Sequence, residues 1–201
     1  MKIGGVIMIS ALGIALPILV IIVAGKLMVE VSGRDRVVES ISGKPEDFPK
    51  ALQSRFYGYN AAEAKTYWDA LRDEGRKAEI RLLQFDLLFP LLYGAALAFS
   101  VMTLWSALDI RTSMAWFLVP VIAAVITDWI ETAILLQQVK NFDSTGTFDA
   151  GQIQVASIAT IAKSISIALS ALLIISFAVM LLSRDRGPEK TGVRTSSPAL
   201  H

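Results

Sequence analysis

The sequence predicts an all-α fold, an integral membrane four-helix bundle with a partly helical extracytoplasmic loop. Of its 201 residues, 54% are hydrophobic and only 18% are charged, and the mean hydropathy is +0.55. A soluble domain of ordinary composition carries more charge than this. Four apolar stretches are also long enough to cross the hydrocarbon core of a bilayer, which takes about 20 helical residues. Composition and apolar stretches together therefore favour a membrane protein.

The first apolar stretch, residues 3–25, is predicted to be an uncleaved membrane anchor. The alternative is a cleaved signal peptide, because Pro17 could interrupt the helix and small residues stand near Gly25. Three further spans are predicted at residues 82–104, 114–136 and 153–182. We therefore expect a single membrane domain over residues 1–183.

The distribution of basic residues predicts the orientation in the membrane. The tail of residues 184–201 carries several Lys and Arg, whereas the loop between the last two spans is acidic. Because cytoplasmic segments close to spans are enriched in Lys and Arg, both termini are predicted to be cytoplasmic. The expected location is the cell membrane, as a multi-pass protein of a bacterial inner membrane. The tail is rich in Ser, Thr, Pro and charge and is predicted to be disordered.

The extracytoplasmic loop, residues 26–81, is predicted to contain helices of its own. A short helix is expected from Pro45 to Arg55. Asn60 followed by Glu63 resembles a capping box, and apolar residues then recur at helical spacing up to a C-cap near Gly75. We expect this amphipathic segment to fold back on the bundle or to rest at the membrane interface, with a ligand lid as the alternative.

Four ionisable residues lie inside the predicted spans, namely Asp86, Asp128, Glu131 and Lys163. Each costs about 2.5 to 3.5 kcal/mol near a helix centre, so each should be paired or face a cavity. Their positions place all four in the outer half of the bundle. Asp128 and Glu131 share one helix face, and Asp86 shares a face with Tyr93. The sequence therefore predicts one buried polar cluster of Asp86, Tyr93, Asp128, Glu131 and Lys163.

Several functions remain open for this cluster. It could be an ion pair that fixes helix register, with Asp86 at the membrane edge beside Arg81. Three acids against one base leave two carboxylates in excess, which is more than a register lock needs. Such an excess could act as general acid and base, ligate a hard divalent cation with Tyr93, or hold the cationic or hydroxylated headgroup of a lipid-like ligand. We assign no catalytic residue, no cofactor and no metal ligand.

The preferred interpretation is a binding or structural membrane protein. A membrane enzyme acting on a lipid-like substrate and a proton-coupled carrier are the alternatives. Expected partners are membrane lipid and a small or lipid-like ligand, and homo-oligomerisation is left open. The formal net charge of +1 and the lack of a basic stripe argue against nucleic acid. There is no Cys and the only His is His201, which excludes disulfides, thiolate catalysis and haem ligation by several His.

Two helix motifs carry a resemblance to a known group of proteins. Residues 86–93 read Asp-x-x-Phe-Pro-x-x-Tyr, and residues 128–131 read Asp-x-x-Glu. Over roughly residues 57–138 the chain resembles uncharacterised small bacterial four-span membrane proteins with these motifs. The resemblance implies a four-span fold and draws attention to Pro90 beside the cluster residues, but it implies no activity. In such proteins an Asn often follows the Glu, and Thr132 stands at that position here.

Overall fold

The computed structural model describes residues 3–42, 48–108 and 110–184, and every regular element in these residues is a helix. The six α-helices are α1 (Ile3–Ser32), α2 (Arg34–Ser42), α3 (Ala61–Asp86), α4 (Phe89–Leu108), α5 (Ala115–Thr145) and α6 (Ala150–Arg184). A 3-10 helix, Leu52–Ser54, precedes α3. The all-α prediction is therefore confirmed, while the predicted tail lies, apart from Arg184, outside the described residues.

Three helical segments are long and apolar enough to cross a membrane, and they are Ala61–Leu108, Ala115–Thr145 and Ala150–Arg184. They cover the three later predicted spans except Met114 and extend beyond them, because a helix continues into polar residues until a cap ends it. Gly146 ends α5 in the left-handed conformation, with φ 71° and its N–H donating to the Phe142 carbonyl. The first predicted span lies within α1, and Pro17 stands inside that helix without ending it.

The segment predicted as a loop, residues 26–81, is mostly helix, since it holds the end of α1, all of α2 and most of α3. The expected helix from Pro45 to Arg55 is absent from its described part, where only the 3-10 turn forms. Pro49 explains this, because it has no N–H to give to a helix interior. Residues 43–47 of that prediction lie outside the described residues.

The start of α3 follows the predicted capping box, and the kink at Arg72 lies three residues before the predicted end near Gly75. The Asn60 side chain accepts from the Glu63 N–H at 3.0 Å, and the Glu63 carboxylate accepts from the Asn60 N–H at 2.8 Å. The helix resumes after Arg72, passes Gly75 and ends at Asp86. Gly75 is buried against the Leu71 side chain, so this glycine serves close packing inside the helix rather than a C-cap.

Helix α3 is sharply kinked at Arg72, whose φ of 53° and ψ of −173° are not helical. The Tyr67 hydroxyl donates to the Glu79 carboxylate at 2.9 Å across a separation of 12 residues. A straight helix would separate these residues by about 18 Å along its axis. The two halves of α3 therefore fold back on each other at Arg72, where the backbone conformation costs about 1–3 kcal/mol for a residue other than glycine.

Two apolar cores lie at opposite ends of the bundle. One holds side chains from both halves of α3 and from the adjoining ends of α5 and α6, including Trp68, Leu71, Leu83, Leu135, Val139, Phe142 and Ile153. The other holds side chains of α4, α5 and α6, including Val101, Leu104, Val121, Ala124, Ile174 and Phe177. We call α2, residues 48–60 and the first half of α3 the cap, because they cover the first core. Asp128, Glu131 and Lys163 lie between the two cores.

Candidate functional site: a buried polar cluster

The Lys163 ammonium on α6 bridges two carboxylates on α5. Its Nζ lies 2.8 Å from Asp128 Oδ1 and 2.5 Å from Glu131 Oε2. Both acids are buried, with exposed fractions of 3% and 0%. The spacing of three residues places the acids on one face of α5, so a single long side chain from the neighbouring helix reaches both. The structure therefore brings these three predicted residues into one ion cluster.

Asp86, at the end of α3, faces the same interior. It is buried, and its Oδ2 accepts a hydrogen bond of 2.9 Å from the Thr132 hydroxyl. The charges that act on it are those of Asp128, Lys163 and Glu131. Asp86 thus lies in the cluster and not at an exposed membrane edge. The Thr at the position where the resembling proteins often have Asn makes this hydrogen bond to α3.

A break between α3 and α4 follows Asp86 directly. Pro90 lacks an N–H, so the last turn before it loses a backbone hydrogen bond. The indole of Trp129 on α5 donates to the freed carbonyl of Leu87 at 2.9 Å. Tyr93, one turn beyond the break, donates to the Ala124 carbonyl on α5 at 3.0 Å. Tyr93 therefore lies beside the cluster and ties α4 to α5 through the backbone.

Three further polar side chains of α5 and α6 have other partners. Ser170 and Thr160 donate to carbonyls of their own helix. Gln138 accepts from the Asp149 N–H at 2.7 Å and donates to Gln152 at 2.6 Å, and so it holds the turn between α5 and α6. Ser170 and Gln138 take no part in the bridge around Lys163, whereas Thr160 also interacts with Glu131.

A second buried charge group, not expected from the sequence, holds the kink of α3. Arg34 of α2 donates to Glu79 Oε2 at 3.0 Å and to the Tyr67 hydroxyl at 2.9 Å, and Glu79 is 1% exposed. Glu79 stands in a strongly charged stretch of the sequence, and its burial was not predicted. One signal was present, because Glu79 and Asp86 are seven residues apart and so share a helix face with Gly75.

The cluster holds more acidic groups than basic groups. Three carboxylates meet one ammonium, so full ionisation leaves two negative charges in an interior where unpaired charge is costly. Glu131 uses only one of its oxygens, since Oε1 is buried and has no hydrogen-bond partner among the described residues. Of the four cavities identified in the described part of the chain, none has Asp86, Asp128, Glu131 or Lys163 in its wall. The cluster is therefore no part of these cavities, and the Lys163 side chain that bridges it is 13% exposed.

One cavity opens beside the helix break. It measures about 240 Å³ and is lined by apolar side chains of α1 and of the α3–α4 junction, namely Ala24, Leu27, Met28, Val31, Phe85, Leu88, Phe89 and Leu92. We call it the junction groove. Phe85 is the sequence neighbour of Asp86, so the groove lies next to the segment that carries a cluster carboxylate.

Among the described residues, no group of three or more His, Cys, Asp or Glu side chains is placed to hold a metal ion. Comparison of the chain with protein-family models, with curated proteins and with solved structures found no match. The resemblance carried by the two helix motifs stays a prediction. Function must accordingly follow from the arrangement of the residues themselves.

Replacing Lys163 by Met is expected to destabilise the protein by about 3–5 kcal/mol, because two buried acids lose their cation. Adding Asp128→Asn removes one uncompensated charge. The double variant should therefore lose much less stability than the sum of the losses in the two single variants. The free energy of unfolding in micelles measures this coupling.

The exposed pair Lys65–Asp69, joined at 2.6 Å, is the matched control. Lys65→Met with Asp69→Asn should show a coupling below about 1 kcal/mol. Additive losses for Lys163→Met and Asp128→Asn would contradict the ion bridge.

Proposed function

We propose that the chain is a multi-pass protein of the cell membrane, a four-helix bundle in which α1 is the fourth span. A helix of 30 residues is about 45 Å long, which exceeds the hydrocarbon thickness of about 30 Å. Several apolar side chains of α1, including Ile18, Leu19, Ile22 and Val23, are exposed and so suit contact with lipid. This supports four crossings, with both termini on the same side.

The proposed orientation places the cap outside and the turn between α4 and α5 in the cytoplasm, as in a bacterial inner membrane. Because the chain has no Cys, labelling of a single introduced Cys shows on which side of the membrane that residue lies. Tyr57 in the cap is 96% exposed, and Ser113 is exposed in the α4–α5 turn.

An impermeant maleimide should label Tyr57→Cys on intact cells and should label Ser113→Cys only after the membrane is opened. The reverse pattern would contradict the orientation, and labelling of both on intact cells would contradict the number of crossings.

Within this bundle the polar cluster has a structural role and the junction groove binds a lipid-like ligand. The burial of Asp86, Asp128 and Glu131 supports a fixed lock between α3, α5 and α6, since turnover of a substrate would need access to the carboxylates. The binding role rests on the junction groove, whose lining side chains are all apolar and which lies at the break between α3 and α4.

The groove fits the chain of an amphiphile. Its walls offer no polar partner, so the part of the ligand inside must be apolar. The polar headgroup of such a ligand stays outside the groove, because none of the lining side chains can form a hydrogen bond with it. A membrane lipid whose apolar chain lies in the groove is therefore the proposed ligand.

Ala24 lines the groove, so Ala24→Leu should fill part of it and displace the ligand. Native mass spectrometry of the purified protein should detect a copurified lipid on the wild type and at least several-fold less on Ala24→Leu. Ala15 is exposed on the same helix, and Ala15→Leu is the matched control that should keep the lipid. Equal retention by both variants, or a wild type without lipid, would contradict the binding role.

A further inference from the structure

Tyr59 enters the bundle from the cap and is fixed there by its backbone. The Tyr59 N–H donates to the Ser157 hydroxyl of α6 at 2.8 Å. The preceding residue, Gly58, has a φ of 79°, and a Cβ at this position would lie 2.4 Å from Ser157 Oγ. Only glycine therefore allows the loop to lie this close to α6, and the contact aims the Tyr59 ring into the interior.

Two polar atoms in this interior form no hydrogen bond of normal length and angle within the described residues. The Tyr59 hydroxyl and Glu131 Oε1 are both buried, and neither has a hydrogen-bond partner among the described residues. The residues that carry them are 7% and 0% exposed. A buried polar group without a partner costs about 1–3 kcal/mol. Two such groups near each other point to a small molecule that satisfies both.

The two groups are complementary and lie in one neighbourhood. Burial raises the pKa of the Tyr59 hydroxyl, and the Glu131 carboxylate raises it further, so the hydroxyl keeps its proton and is a donor. Glu131 Oε1 is an acceptor, yet the two atoms do not bond directly. The Thr160 side chain interacts with both residues. Its hydroxyl proton goes to the Ala156 carbonyl at 3.0 Å, which leaves its oxygen free to accept.

We propose that one internal water molecule occupies a site between the Tyr59 hydroxyl, Glu131 Oε1 and the Thr160 oxygen. The water accepts from Tyr59 and donates to Glu131 and to Thr160, which gives it the two to four polar partners that buried water needs. This site links the cap to the ion cluster by hydrogen bonds and makes Tyr59 a positioning residue for Glu131. It does not depend on a ligand in the junction groove.

A crystal structure of the full chain grown from lipid, at a resolution that shows ordered water, tests the site. The expected result is a water peak at about 2.7–3.0 Å from both the Tyr59 hydroxyl and Glu131 Oε1. Tyr59→Phe should lose the peak, because the water loses its donor. Tyr57→Phe should keep it, since Tyr57 is the neighbouring tyrosine and is 96% exposed.

Two results would overturn the inference. One is a wild-type structure in which the Tyr59 hydroxyl bonds Glu131 directly or the site is empty. The other is a peak of unchanged height in Tyr59→Phe. The wild-type structure decides the first point by itself, so the test does not depend on the folding of the variant.

Discussion

The fold depends on one constraint, which is that an ionised side chain cannot face hydrocarbon alone. Lys163 on α6 is paired with Asp128 and Glu131 on α5, and each charged group has its partner within hydrogen-bond distance. Asp86 extends the arrangement to α3 through Thr132. Three helices are thereby held in a defined register, since a shift of one residue would separate these groups.

The cap continues the same principle outside the apolar spans. Arg34, Tyr67 and Glu79 form a buried group that holds the two halves of α3 against each other and against α2. The apolar core around Trp68 then rests on the ends of α5 and α6. Because Tyr59 reaches from the cap toward Glu131, the cap and the membrane part are connected through polar groups as well as through apolar packing.

The sequence predicted the parts of this structure that depend on local pattern. The cost of charge in an apolar helix singled out Asp128, Glu131 and Lys163, and capping chemistry located the start of α3 at Asn60. Helix spacing also predicted that Asp128 and Glu131 share a face. These features follow from hydropathy and from 3.6 residues per turn, and both can be read from the chain alone.

The parts that failed depend on contacts between distant residues. The sequence indicated a helix end near Gly75 but did not place the reversal at Arg72, whose unusual backbone angles no local pattern predicts. Gly75 looked like a helix end, yet it serves close packing within α3. The burial of Glu79 could not be predicted either, because its partner Arg34 lies 45 residues away in the sequence. Tyr59 gave no signal either, since its contact Ser157 lies 98 residues further along the chain.

The convergence of the ionised groups in one interior is tested most directly by a distance measured in a lipid bilayer. Solid-state NMR with nitrogen-labelled Lys and carboxyl carbon-labelled Asp and Glu detects the dipolar coupling between the Lys163 ammonium and nearby carboxyl carbons. The structure predicts a coupling that corresponds to a nitrogen-to-carbon separation below about 4 Å. This coupling should be absent from Lys163→Met. Absence of this coupling in the wild-type protein would contradict the ion cluster and the helix register based on it.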